Sequence, residues 1–569
     1  MCGIAGIIGT YKEDNINKML ESQHHRGPDS KAKYFDPGFC TLGHNRLSII
    51  DLSAESNQPF LDNSGRYIIA FNGEIYNYIE IKEGLEKQYN FKTQSDTEVL
   101  LAAFIIYGKS CLEKLNGMFA FAIWDNLEKK LFAARDRFGV KPFYYSLCNN
   151  SFYFSSEIKA LHAAGIAKQP NEKVWASYFA FGSYGMPDET FWSGIAQLPG
   201  GHLLEFENKK ITIEQWYNFE EEISKQPENL TFEQAKKQYL RLLKDSINLR
   251  FRADVSVGFN ISGGLDSSVL LALVNQQEDN SKINAYTFYT NNSDYDELPW
   301  VEKMIAHTKN PLTKVLLQAD EVPALSQKMQ WQQDEPFGGI PTLAYAKIFQ
   351  QARKDNVLVL LDGQGMDEQW AGYDYYTQNN EATIQGVHDS PYKIKMLSDS
   401  FLAKAEKPLY PKPFQDEVLN KQYRDLFYTK IPRALRFNDR ISMAFSTELR
   451  EPFLDHRLVE FAFSLPLEYK IKNGITKFIL REIASEYYVS DLVYAPKRPL
   501  QTPQREWLAT DLQEWVSTCF AELENSVYSN WFNKKFLQDE VKSYFDGNIQ
   551  SSFHIWQCIS FFEILKVKE

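Results

Sequence analysis

Short apolar stretches broken by turn residues dominate the first two hundred positions. At 67–71, 117–124, 130–134 and 152–154, apolar and aromatic residues run between Gly, Asn and Asp, the rhythm of β-strands joined by turns. Two apolar sheets packed face to face suit this rhythm, with helices such as 97–107 covering them. After Leu198-Pro-Gly-Gly201 and a strand at 202–206 the pattern changes. Residues 220–229 are polar and acidic, and from Thr231 a helical face appears with Phe232, Ala235, Tyr239, Leu242 and Leu243. Strand-then-helix units follow at 255–261 with 267–274 and at 283–289 with 298–307, and another apolar strand stands at 357–361. That alternation implies a parallel sheet covered by helices. From about Tyr423 the pattern is mostly helical. The expected layout is a domain over 1–210, a linker over 211–230 and a second domain over 231–569. The first is an α+β sandwich of two antiparallel sheets with helices; the second is α/β with a parallel sheet.

Bulk composition narrows the function. A chain of 569 residues exceeds what one core usually supports, and 44% hydrophobic with 24% charged residues is ordinary globular composition. A net charge of −12 argues against nucleic acid or an anionic membrane as partner. No apolar run is long enough to span a bilayer, and the first residues lack the basic flank and cleavage site of a signal peptide. Six cysteines without a C-x-x-C pair make neither a disulfide framework nor a zinc site, which points to a reducing cytoplasm.

One of those cysteines is Cys2, directly behind the initiator methionine in MCGIAGIIG. Methionine removal would leave a thiol and a free α-amine on one residue, and an amine titrating at roughly 7.7–8.0 can act as base for its own thiol. A buried cysteine on a first strand would need no chemistry at all, so the surrounding residues decide. They form four polar clusters: Arg26-Gly-Pro-Asp29, Asn45-Arg46 through Asp51, Asn72-Gly73-Glu74, and Ser95-Asp96-Thr-Glu98. Together these supply what hydrolysis of an amide by a thiol requires. An Asn side chain and a glycine N–H can form an oxyanion hole, an arginine can grip an α-carboxylate in a fork, and carboxylates can hold an α-ammonium. Asp29 and Asp51 are explained as loop caps.

CGIAG with HRGPDS, NRLSIID, FNGEIYNY and SDTEV, in this order, resembles the class II glutamine amidotransferase domain, an Ntn-hydrolase-type sandwich. The resemblance implies that Cys2 is the glutaminase nucleophile and that Asn72 and Gly73 stabilise the tetrahedral intermediate. It also implies a glutamine site built from Arg46, Leu47, Ile49, Ile50, Asn72, Gly73, Glu74 and Asp96.

In SVGFNISGGLDSS, residues 256–268, an apolar strand runs into a Ser-Gly-Gly loop and a helix follows. Glycines let the backbone approach an anion, the helix N-terminus presents free N–H groups, and Asp266 can hold a magnesium ion bridging phosphate oxygens. The G-K-[ST] ending of a Walker A loop is absent. The loop resembles that of the ATP pyrophosphatases (HUP-like), and LLDGQGMDEQWAGY, RALRFNDRISMAFSTELREPFLDHR and GITKFILRE further on resemble the synthetase domain of the asparagine synthetase family. The resemblance implies ATP and Mg²⁺ as cofactors, with Asp266 and Asp367 as metal ligands. It places Asn260, Ser262, Gly263, Gly264, Asp266, Ser267, Ser268, Thr290, Asp362, Gly363 and Lys477 at ATP, with Lys477 countering negative charge as an adenylate forms. The implied reaction is amidation of aspartate to asparagine by ammonia from glutamine, giving glutamate, AMP and pyrophosphate; another carboxylate, such as a sugar acid or a peptide side chain, is the alternative acceptor. A homodimer is the assembly the family suggests. Two departures bear on the acceptor. Gln364 stands where family members often read a carboxylate, and 334–345 lacks an arginine that some place against aspartate.

Overall fold

The computed structural model describes residues 2–10, 12–277, 283–378, 390–488, 490–495 and 501–566. Strand Gly3–Ile8 is buried at every position because it runs through the middle of a sheet covered on both faces. Ile4 and Ile8 face a second sheet, in one cluster with Leu42, Ile68, Ala122 and Trp124, while Ala5 and Ile7 pack with Ile16 and Met19 of helix Glu13–Ser22. The first sheet orders its six strands Ala196–Gln197, Tyr144–Cys148, Ser151–Ser155, Gly3–Ile8, Cys40–Arg46 and Ser30–Asp36. In the second, the order is Lys210–Gln215, His202–Glu207, Lys130–Arg135, Gly117–Asp125, Tyr67–Ile75 and Phe60–Leu61. All these pairings are antiparallel. This is the α+β sandwich that the alternating pattern implies.

The second domain opens on helix Phe232–Arg250, started by a capping box in which Thr231 and Gln234 exchange hydrogen bonds. Its sheet is parallel throughout, in the order Leu312–Leu316, Ala285–Tyr289, Val257–Asn260, Val359–Leu361, Glu448–Arg450. Strands Leu312–Leu316 and Glu448–Arg450 escape the pattern reading, the latter because two charged residues flank its single leucine. Between the domains, strand Lys210–Gln215 pairs with His202–Glu207 across the boundary expected at 210, and helix Phe219–Ser224 stands where a linker is expected. The six cysteines are all free thiols, and among the described residues no helix is long and apolar enough to cross a membrane.

The domains share a buried interface. Met118, Phe138 and Val140 of the first belong to one apolar cluster with Phe453 and Leu454 of the second. Next to it lies a charge knot centred on Arg26, which is fully buried. Its guanidinium donates to Asp439 of helix Lys430–Met443 through two parallel bonds of 2.8 and 3.0 Å, and to Glu157 at 2.9 Å. Glu157 also meets Lys159 at 2.5 Å, and Lys159 reaches Asp334 at 3.2 Å. Burial would raise the Glu157 carboxyl, but His25, Lys159 and Arg440 hold it well below the usual carboxylate range.

Removing one partner from such a pair strands the other charge, at a cost of about 3–5 kcal/mol. Asp439→Ala should therefore lower unfolding free energy by about that amount in urea titrations, whereas Lys18→Ala, which deletes an exposed pair with Asp14, should leave the curve in place. An Asp439→Ala curve that overlays the wild type would show that the knot does not support the fold.

Candidate active sites

Cys2 sits at the head of the central strand, only 7% exposed. Three neighbours fix it. Its backbone N–H donates to Asn72 Oδ1 at 2.9 Å, its carbonyl accepts from Arg26 Nε at 3.0 Å, and its Sγ lies 3.8 Å from the Leu47 carbonyl. Burial pushes the thiol pKa up, so the resting group is a thiol that needs a base. Asn72 is buried on the facing strand Tyr67–Ile75, and its Nδ2 finds no partner. A buried donor left unpaired is costly and rare; here it lies beside Cys2, where an oxyanion would complete it. Gly73 follows, and its lack of a side chain is forced, since a Cβ there would stand 2.1 Å from the Met118 carbonyl oxygen.

The expected glutamine-binding residues gather around this strand. Arg46 is pinned by the Ser53 carbonyl at 2.7 Å, by Asn57 Oδ1 at 2.9 Å and by the Asp51 carbonyl. Asp96, the first residue of helix Asp96–Tyr107, which Ser95 caps, accepts from the Ile75 N–H at 2.9 Å, and burial lifts its pKa to about 6. Glu74 is raised well above the carboxylate range by burial and by Glu448, and its Oε2 has no hydrogen bond. Leu47, Ile49 and Ile50 are buried in the shared interdomain cluster. Asp51 and Asp29 are loop caps as expected: Asp51 accepts from Ser53, Ser56 and the Gln94 N–H, and Asp29 accepts from the Ser48 N–H.

Three neighbours escaped the sequence reading. Glu448 and Arg450 come from the second domain's edge strand, and Arg450 Nη2 approaches Glu74 Oε2 at 3.7 Å. Asn45 is fully buried with both side-chain atoms unpaired. Nothing in the local pattern of 448–450 pointed to a pocket four hundred residues away; Asn45 was within the quoted NRLSIID.

The second site opens at the carboxyl end of the parallel sheet, where such folds bind ligands. A cavity of about 1040 Å³ lies there, lined by Asn260, Ser262, Gly263, Gly264, Asp266 and Ser267 of the loop and by Asp362, Gly363, Asp367 and Lys477. Ser267 Oγ donates to the Ser262 carbonyl at 2.7 Å, which tightens the loop before helix Leu265–Gln277. Lys477 Nζ bonds Asp266 at 2.6 and 2.7 Å and Asp367 at 2.7 Å. Both carboxylates thus converge on one point. Burial lowers the lysine pKa and the two carboxylates outweigh it, so Lys477 is held charged. Asn260 donates to Asp362 at 3.1 Å, and burial lifts Asp362 to about 6. Two expected residues do not line the cavity: Ser268 Oγ turns back to the Gly264 carbonyl, and Thr290 is occupied by Asp296.

Comparison with known proteins matches this division. A family model described as a glutamine amidotransferase domain covers residues 1–217, and one described as asparagine synthase covers 238–566. Asparagine synthetase [glutamine-hydrolyzing] 3 of Bacillus subtilis is 31% identical over 90% of this chain and 90% of its own. A putative asparagine synthetase [glutamine-hydrolyzing] 2 of Methanocaldococcus jannaschii is 36% identical over 71% of this chain and 82% of its own. Among solved structures, the glutamine phosphoribosylpyrophosphate amidotransferase of B. subtilis matches at 20% identity with a TM-score of 0.30, over 46% of this chain and 60% of that one.

The unpaired Asn72 Nδ2 yields a direct test. Asn72→Ala should lower kcat for glutamine hydrolysis by roughly 10²–10³, with a smaller change in KM, as expected when one oxyanion donor is removed. A kcat near wild type with a collapsed affinity would make Asn72 a binding residue only.

Proposed function

The chain belongs to the asparagine synthase family and is a glutamine-dependent carbon–nitrogen ligase, and on that premise we propose how its residues divide the reaction. With residue 1 removed, the Cys2 α-amine takes the thiol proton. The sulfur attacks the glutamine amide carbon, the oxyanion rests on Asn72 Nδ2 and the Gly73 N–H, and ammonia leaves with the proton. Water then cleaves the thioester to glutamate. Arg46 grips the α-carboxylate of glutamine, and Glu74 with Asp96 holds its α-ammonium.

In the second domain the acceptor carboxylate attacks the α-phosphorus of ATP and pyrophosphate departs. The Ser262–Ser267 loop and the helix behind it bind the phosphates. Asp266 and Asp367 fit a magnesium site, because two hard oxygen donors already converge on one cation, Lys477 Nζ. Magnesium held by these two carboxylates would offset the phosphate charge, and Lys477, released from them, would meet the pyrophosphate. Ammonia attacks the acyl-adenylate, the C–O bond to phosphate breaks, and AMP leaves with the amide formed. Free ammonia in water would be mostly ammonium and not nucleophilic, so the nitrogen travels inside the protein. The observation that carries this reading is the pair of sites itself, one built around a buried thiol and the other around a Lys477 shared by two carboxylates.

Aspartate, giving asparagine, is the acceptor that the relatives' names support, with the reaction in the cytoplasm. A second reading, a sugar acid, is favoured by the cavity. At about 1040 Å³ it exceeds the roughly 300–1,000 Å³ of ligand pockets. Its lining also includes the neutral polar side chains of Asn548 and Gln550, together with Arg433, which makes no ion pair among the described residues. Pyrophosphate release with glutamine, ATP, Mg²⁺ and a panel of carboxylic acids decides between them: turnover with aspartate alone supports the first, and turnover with glucuronate but not aspartate supports the second.

Cys2→Ala should abolish glutamine hydrolysis yet keep amide formation from ammonium salts, because adenylation sits on the other domain. Asp266→Asn and Lys477→Ala should each stop pyrophosphate release while glutamine hydrolysis continues. Formation of ADP and phosphate in place of AMP and pyrophosphate would overturn the adenylate reading.

A further inference from the structure

Glu451 is a buried carboxyl without a structural task. It follows strand Glu448–Arg450, is 5% exposed, and caps the short turn Pro452–Leu454 without a side-chain hydrogen bond. Among the described residues its carboxyl forms no ion pair and no hydrogen bond. Burying such a group unpaired is expensive, and nearly all buried polar groups avoid it.

Its surroundings show what it faces. Glu451 lines a small space between the domains with Tyr76, Asn116, Met118, Leu454 and His456, about 10 Å³ in volume. That is room for one molecule the size of water or ammonia. One end touches the glutamine pocket, for Met118 pairs with Glu74 across neighbouring strands and its carbonyl abuts Gly73. The other end touches the nucleotide cavity, for Leu454 packs on Gly365, directly after Gln364. The space therefore lies between the two sites, and Glu451 stands on its wall.

The charges around it favour a neutral acid. Burial pushes the Glu451 pKa up to about 8, opposed by Lys141 and Arg250 and reinforced by Asp362 and Asp136. Arg137 and His456 complete the titratable lining. Arg250 is committed to Asp455 at 3.1 Å, and Asp136 is consumed by the N–H groups of Phe119, Phe138, Val140 and Lys141.

We infer that Glu451 is the polar station through which ammonia crosses the interface: its carboxyl donates O–H to the ammonia lone pair and its carbonyl oxygen accepts an N–H in return. No bond is made or broken in this step. The station offsets part of the cost of taking a polar molecule out of water, and a neutral acid holds ammonia without drawing ammonium into the protein. This rests on the two-site reaction proposed above, with Glu451 acting on transfer alone.

The test measures glutamate formed per AMP released, with glutamine as nitrogen donor, in wild type, Glu451→Leu, Glu451→Met and Glu451→Gln. The apolar variants should raise this ratio about five- to tenfold, the effect of losing one net hydrogen bond. Their glutamine hydrolysis and their AMP release with saturating ammonium salt should stay within about twofold of wild type. Glu451→Gln keeps a donor and an acceptor and should hold the ratio near wild type. Two apolar variants guard against one that misfolds, as read by thermal melting. An unchanged ratio in a folded apolar variant overturns the station, and so does a glutamine variant that uncouples as strongly as leucine. Loss of ammonium-supported AMP release would also overturn it by moving Glu451 to the acyl-adenylate. Failure of the ligase reading itself shows separately, as wild type that releases no pyrophosphate with any acceptor.

Discussion

Arg26 is the constraint on which the rest of the molecule depends. A guanidinium taken wholly out of water must have its donors satisfied, and Arg26 does this by joining three parts of the chain. It holds the Cys2 carbonyl, Glu157 after the neighbouring strand, and Asp439 on a helix of the other domain. The backbone of Cys2 is thereby tied to the synthetase domain through one side chain. Because each partner is buried too, the knot tolerates no half-formed state. The two domains must dock in one register, and that register sets the path between the sites.

The two sites prepare for their ligands in opposite ways. Around Cys2, buried groups are left without hydrogen bonds: Asn72 Nδ2, Glu74 Oε2, with the Arg450 guanidinium 3.7 Å away, and both side-chain atoms of Asn45. Their desolvation is already complete, so a ligand that pairs with them gains the full hydrogen bonds. Around Lys477 the charged groups already touch, with one ammonium shared by two carboxylates. There, in the proposed reaction, binding would work by exchange, the carboxylates turning to a metal and the lysine to phosphate. A site for a zwitterion can stay dry and empty; two neighbouring carboxylates repel each other unless a cation lies between them.

Docking also explains the mixed composition of the glutamine pocket. Glu448 and Arg450 lie on the last strand of the parallel sheet, yet Arg450 faces Glu74 of the amidotransferase domain and donates to the Arg250 and Arg252 carbonyls. The edge of one domain's sheet is thus a wall of the other domain's site. The same strand leads directly into Glu451 and Leu454 at the small interdomain space. Stability and transfer are therefore served by one segment, residues 448–454.

By itself the sequence determined the elements and the two local sites. Strand periods, the Thr231 cap, the Ser-Gly-Gly loop between strand and helix, and the order of clusters around Cys2 are all short-range features, encoded within a turn or two of chain. Tertiary structure alone decided what those sites share. The Arg26–Asp439 pair, the approach of Arg450 to Glu74, and the unpartnered burial of Glu451 join residues hundreds of positions apart. The pattern of each segment is satisfied without the other, so neither carries a mark of its partner. Strand 448–450 shows the reason most plainly: its charged residues are polar in any local reading, and only the packing of a second domain against them turns that polarity inward. Ser268 and Thr290 show the limit of residue type: both fit a phosphate site, yet their hydroxyls bond nearby partners, the Gly264 carbonyl and the Asp296 carboxylate.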